Sequence, residues 1–258
     1  MRKDIEKILQ FVQKPARYCG GELNSVIKDP KKVALRYAFC FPDLYEIGMS
    51  HLGMKILYSL VNSREDAWCE RVFAPDTDME EQMRKNGVKL FALESEDDIK
   101  DFDIIGFTLM YELCYTNMLN MMDLAGIKLK SKDRTELTPI IACGGPCACN
   151  PEPIADFVDI VFLGDGEEST MEVLDLLKEC KEKGSTKHEF LLKAKDIRGV
   201  YVPSFYKDSY NEDGTLKDLQ PLYGAPEKVK KAVVSDMDSC FYPDNFVVPF
   251  INIVHDRA

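Results

Sequence analysis

Apolar and polar residues alternate along the stretch Val33 to Phe41, "VALRYAFCF", and the alternation stops at Pro42 and Asp43, which predicts a strand running into a loop. Leu52, Ile56, Leu57 and Leu60 then recur at helical spacing, and Ser50 is the expected N-cap of that helix. "WCERVFAP" reads as a second strand. "TDMEEQMRKNG" reads as a polar helix capped by Thr77 or Asp78 and closed by Gly87, and "VKLFALE" as a further short strand. "FDIIGFTLM" is unbroken in its hydrophobicity, as expected for the centre of a parallel sheet covered on both faces. A helix from about Glu112 to Ala125 comes next. "TPIIACGG" is the next central strand, "EPIADFV" a short helix, "DIVFLGDGEE" another strand, and "STMEVLDLLKECKEKG" a helix with a clear apolar face. With the charged amphipathic helix at the start, the order strand, loop, helix predicts an α/β fold. The expected sheet is doubly wound, Rossmann-like, mainly parallel and five- or six-stranded.

After Gly199 the pattern changes. Two strands flank the turn Asn211 to Gly214, a hairpin signal, and Pro221, Pro226, Pro243 and Pro249 punctuate the remaining residues. Residues 1–199 therefore read as the domain and 200–258 as a hairpin and linker. The last apolar stretch, "FINIV", reads as a strand.

The chain has 258 residues and a formal net charge of -11, which opposes adsorption to nucleic acid. No apolar run reaches the roughly 18 residues of a membrane span, and the start is not a signal peptide, so the expected compartment is the cytoplasm. Nine scattered cysteines, an odd number, read as reduced thiols. Cys143, Cys147 and Cys149 are spaced Cys-x3-Cys-x-Cys, which fits no common cluster loop, and small thiols beside glycines pack well as apolar fillers; no metal site is expected. A P-loop and a dinucleotide fingerprint are both missing. His51, His188 and His255 are far apart, and no hydrolase triad can be assembled. No catalytic residue is expected in this chain.

Ligands of doubly wound sheets bind beyond the carboxyl ends of the strands, where strand order reverses. Four loops fall there: "FPDLYEIGMSH", "TLMYELCYTN", "GGPCACNPEP" and "GDGEE". Gly144, Gly145, Gly164 and Gly166 allow tight turns or close approach of a flat ligand. Glu167 and Glu168 stand at a helix start, where carboxylates complement the helix dipole, and Asp165 or Glu167 is an additional acceptor for a ligand or a neighbouring domain. With a flavodoxin-like strand order, the loops at Asp43 to His51, Thr108 to Tyr111 and Gly144 to Glu152 converge on one cleft. Its expected polar groups are Asp43, Tyr45, Tyr111, Asn150 and Glu152.

"KPARYCGGELNSVIKD", "FPDLYEIGMSHLGMKILYSLVN", "DIIGFTLMYELCYTN", "GGPCACNPEPIADFVDIVFLGDGEE" and the closing "HDRA" resemble, in this order, the amino-terminal cobalamin-binding-like domain of an uncharacterised family of radical S-adenosylmethionine proteins. The resemblance implies a barrel, further along the chain, whose Cys-x3-Cys-x2-Cys loop holds a [4Fe-4S] cluster and binds S-adenosylmethionine. That barrel would begin just after "HDRA" and is missing here, so this piece alone is expected to be inactive and to have the radical domain as its partner. Cobalamin domains carry Asp-x-His-x-x-Gly, a Ser-x-Leu and a Gly-Gly pair. Asp43 and Gly48 match the first at its spacing, with Tyr45 in the histidine place; Thr108 and Met110 stand near the second; Gly144 and Gly145 match the third. A phenol is a poor ligand for cobalt, so cobalamin would bind without a histidine lower ligand unless His51 replaced it. Two rival readings are a scaffold domain without cofactor and an autonomous nucleotide- or metabolite-binding module.

Overall fold

A computed structural model describes residues 2–255. Among the described residues eight strands are formed: β1 (Leu35–Phe41), β2 (Ala67–Phe73), β3 (Ile104–Thr108), β4 (Ile140–Gly144), β5 (Ile160–Phe162), β6 (Val200–Tyr201), β7 (Tyr206–Tyr210) and β8 (Leu216–Pro221). The helices are α1 (Lys3–Leu9), α2 (Tyr45–Gly48), α3 (Leu52–Asn62), α4 (Thr77–Asn86), α5 (Cys114–Ala125), α6 (Glu167–Lys183) and α7 (Lys187–Ala194). The main sheet has the order β2-β1-β3-β4-β5-β6, parallel throughout except for β6, which runs antiparallel to β5. This is the expected Rossmann-like architecture, with the flavodoxin-like reversal between β1 and β3.

The period of two along each strand sorts side chains into two cores. Ala38, Cys40, Ile105, Phe107, Ile141 and Cys143 face α1, α4 and α5, which contribute Ile5, Ile8, Met79, Met83, Met118, Met121 and Met122. Leu35, Tyr37, Phe39, Ile104, Ile140 and Ile160 face α3, α6 and α7, which bring Met54, Tyr58, Leu174, Leu177 and Phe190. On this second face the central strands carry small residues, Gly106 beside Ala142 and Thr108 beside Gly144. The gap they leave opens at the carboxyl edge of the sheet.

Several local expectations are corrected. The cap of α3 is His51, whose Nδ1 accepts the Met54 N–H, while the Ser50 hydroxyl turns back to the carbonyl of Glu46 at 2.6 Å. The cap of α4 is Asp76, one residue before the expected pair. "VKLFALE" forms only an isolated bridge, Phe91 to Asp98, and "EPIADFV" only a 3-10 turn over Glu152–Ile154. Helix α7 is absent from the expected elements, although Thr186 and Glu189 close a reciprocal capping box at its start. The hairpin β7–β8 forms about the expected turn, while β6, just before it, joins the main sheet.

Beyond β8 the chain runs as an irregular strap over the body. Gly199 N donates to Lys230 O, Ala232 N to Leu163 O, and Asp165 N to Ala232 O. Val248 then bridges Leu23, and His255 N reaches the Ser50 hydroxyl at 2.9 Å. The "FINIV" stretch is thus not a strand, and of "HDRA" the last three residues lie outside the described residues. Among the described residues no helix is long and apolar enough to cross a membrane.

Candidate functional site

The carboxyl ends of β1, β3, β4 and β5 meet at a cavity of about 210 Å³ between the sheet and helices α3 and α6. Eight of the expected residues line it: His51, Thr108, Gly144, Gly145, Gly164, Asp165, Gly166 and Glu167. Tyr37, Phe39, Gly106, Leu57, Phe162 and Thr170 complete much of the wall, and none of these is among the expected residues. The signal for Tyr37 and Gly106 is one of register: both sit on the same sheet face, and a glycine inside a buried strand marks a close approach. A Cβ on Gly106 would stand 2.0 Å from the Tyr37 hydroxyl oxygen, so the glycine is what admits the phenol.

Gly145 has φ +95°, and a Cβ there would lie 2.7 Å from the carbonyl oxygen of Leu109. The β3 and β4 loops are therefore clasped together, with Leu109 N donating to Gly144 O at 2.8 Å and Cys147 N to Leu109 O at 3.1 Å. Gly164, also at φ +95°, takes the strap: its Cβ would lie 2.0 Å from Ala232 O. Asp165 accepts the Val234 N–H at 2.8 Å, so one of its oxygens is engaged by the strap. Gly166 caps α6 without a side-chain hydrogen bond, which leaves the amide end of this 17-residue helix beside the cavity. Burial holds the His51 imidazole below its usual range, which favours the neutral ring. Since Nδ1 accepts from Met54, the neutral ring carries its proton on Nε2.

The other seven expected residues do not line the cavity. Tyr45 is 1% exposed and donates to Glu22, which also pairs with Arg71. Burial pushes the Tyr45 phenol up, and the Glu22 carboxylate pushes it further. Gly48 lies under Phe73 and Phe41, where a Cβ would meet Phe73 at 2.3 Å. Asp43 accepts a hydrogen bond from the Tyr111 hydroxyl and one from Leu44 N, tying the β1 and β3 loops on the outer side. Ser50 is held by Glu46 and His255. Glu152 accepts from Tyr201, and Asn150 is exposed at the end of a 3-10 turn. Cys143 is buried in β4, where burial pushes its thiol up, while Cys149 is exposed. Among the described residues no three metal-ligating side chains come together.

A second, larger groove of about 740 Å³ lies between α7 and the hairpin, toward the amino ends of β4 and β5. Beside it Asp159, wholly buried, pairs with both Arg134 and Lys187, at 2.9 and 2.6 Å.

Residues 53–203 match the family model described as "Radical SAM proteins, N-terminal". The chain belongs to this family. A relative of this radical SAM N-terminal chain is an uncharacterised protein of Methanocaldococcus jannaschii, 28% identical over 203 residues that make up 77% of the chain. The matched part is 35% of the relative, so the chain spans about a third of that protein's length. No solved structure matches the radical SAM N-terminal chain.

For the cobalamin that the Asp43–Gly48 pattern suggests, this fold supplies no cobalt ligand from that pattern. Tyr45 is buried and committed to Glu22, and His51 uses Nδ1 as a helix cap. The enclosed space is below the roughly 300–1,000 Å³ that drug-sized ligands fill, and a corrin is larger than those. A corrin would have to lie across the open loops.

Proposed function

We propose that this chain is the docking domain of a radical SAM protein, not catalytic by itself, which seats its carboxyl-edge loops against the radical SAM domain. The observation that carries the reading is an apolar rim on those loops. Ile47 (39% exposed) and Leu52 (47%) come after β1, and Tyr111 (39%) and Leu113 (77%) after β3. Val254 (61%) lies against α2, its N–H directed at Glu46 O. Large apolar side chains gathered on adjacent loops of a water-facing edge mark a surface that a partner covers. The family description and the length of the archaeal relative support a partner domain within the same protein.

Hydrogen exchange tests this, comparing the chain alone with the full-length protein. Amides of residues 45–52 and 109–115 should exchange at least about tenfold more slowly in the full-length protein, and Leu113→Asp should remove that protection. Equal exchange in the two settings rejects docking at this edge.

A second reading is cobalamin held across the same loops without a protein ligand to cobalt. The reversal of strand order between β1 and β3, with Gly144 and Gly145 next to it, favours this. Titration with hydroxocobalamin decides it. A shift in corrin absorption that Gly144→Val abolishes supports the reading, and an unchanged spectrum rejects it. Gly144 is the suitable position because a Cβ there meets only Phe162, at 3.6 Å or more.

A further inference from the structure

Tyr37 is 4% exposed, yet among the described residues its hydroxyl has no hydrogen-bond partner. Buried phenols ordinarily find one; here the oxygen is not sealed off but keeps access to the adjoining cavity. The hydroxyl lies over Gly106, at the wall of the 210 Å³ cavity. Two more groups line the same space and have no protein acceptor among the described residues: the Thr170 hydroxyl, whose residue is 3% exposed, and Nε2–H of His51. Three donors thus line one space, and among the described residues none of them has a protein acceptor.

The walls limit what those donors can meet. Phe39 and Phe162 flank the lane of small residues formed by Gly106, Ala142 and Gly144, so the space is a slot against the sheet. Its volume equals the liquid share of about seven waters, room for one ring or two fused rings. Burial pushes the Tyr37 phenol up and the His51 imidazole down, so the surroundings oppose charge of either sign. Asp165 and Glu167 stand at the mouth and repel an anion that the amide end of α6 would otherwise attract.

We propose that this cavity binds an uncharged planar nitrogen heterocycle, edge-on to the sheet, with the Tyr37 hydroxyl donating to a ring nitrogen. The inference is independent of docking, since the slot lies inside the domain.

Calorimetric titration of the chain with adenine, adenosine, benzimidazole and nicotinamide tests it, with inorganic phosphate as the anionic probe. At least one heterocycle should bind saturably below about 10 mM, and Tyr37→Phe should weaken it about tenfold, or about 1.4 kcal/mol. The melting temperature of ligand-free Tyr37→Phe should not fall, because no protein partner loses a bond. Adenine against adenosine tells whether the ring is taken free or as part of a larger molecule. Gly144→Leu, which fills the slot from a position with room for a side chain, should abolish binding with the fold intact. The proposal is overturned if no heterocycle binds, if either variant binds as tightly as the wild type, or if phosphate alone binds.

Discussion

Tyr45 gives its phenolic hydrogen to Oε1 of Glu22 at 2.8 Å, and the same carboxylate receives both terminal nitrogens of Arg71, at 3.1 and 2.7 Å. The tyrosine that stands where cobalamin domains carry histidine is therefore part of a buried polar network under β2. Glu94 completes it with a 2.6 Å bond to Arg71 Nε. Burial raises the Glu22 carboxylate, but the hydrogen bonds and charge of Arg71 outweigh that and hold it below the usual range.

The network should respond unequally to its members. Tyr45→Phe leaves Glu22 bonded to Arg71 and should cost about 1 kcal/mol, the net value of one hydrogen bond. Arg71→Met strands two buried carboxylates and should cost about 3–5 kcal/mol. Urea unfolding midpoints of the two variants measure the contrast, and equal losses would contradict the assigned geometry.

Asp159 balances two buried cations. Its side chain is fully buried, and those of Arg134 and Lys187 are 6% and 8% exposed. Asp159→Asn should therefore destabilise the fold by about 3–5 kcal/mol, and adding Lys187→Met should recover part of the loss. Recovery is the informative readout, because it separates unpaired charge from lost packing.

Glu70 supplies a pH dependence. Burial pushes its carboxyl up to about 7, against the hydrogen bonds of Ser95 and Arg36, which lower it. The folded state thus holds a proton that the unfolded chain releases near the usual carboxylate value. This contribution to stability is complete below the unfolded value and is lost as pH rises through about 7. Relative to Glu70→Gln, the wild type should lose about 1–3 kcal/mol between pH 5 and pH 8. Urea midpoints of both proteins across that range check the sign, and parallel curves would refute it.

Gly164 holds the strap through a contact with no room for a methyl group, its Cβ position lying 2.0 Å from Ala232 O. Gly164→Ala should release residues near Lys228, Lys230 and Lys231 while the sheet persists. Trypsin should then cut this segment at least about tenfold faster than in the wild type. Cleavage at the wild-type rate would mean that the strap is held elsewhere.

The sheet is legible in the sequence because its central strands are covered on both faces and read as apolar runs, as in "FDIIGFTLM" and "TPIIACGG". The glycine turns after β4 and β5 are legible for the same reason that they exist, since positive φ and close backbone contact admit little else. The polar residues of the first loop are less so. Tyr45, Gly48 and Ser50 satisfy a linear pattern, but whether a side chain points at a cleft or at Glu22 depends on a residue 23 positions away. Tyr37 is illegible as a site residue because an aromatic in a strand reads as core, and only the register with Gly106 gives its hydroxyl a place. The direction of β6 is equally hidden: two residues carry no period, and their pairing with β5 is a tertiary event. Helix α7, in contrast, has a readable signal in Thr186 and Glu189.

The two cores are made of different material. Met79, Met83, Met118, Met121 and Met122 fill one face, whereas the other is shaped by aromatic rings around glycines. Flexible thioethers adapt to a neighbour's change of shape, and swaps such as Met118→Leu should cost less than about 1.5 kcal/mol. At Gly106 the smallest possible enlargement displaces a ring. Over evolutionary time the methionine face can therefore drift through many sequences, while Gly106 leaves its lineage almost no neutral steps.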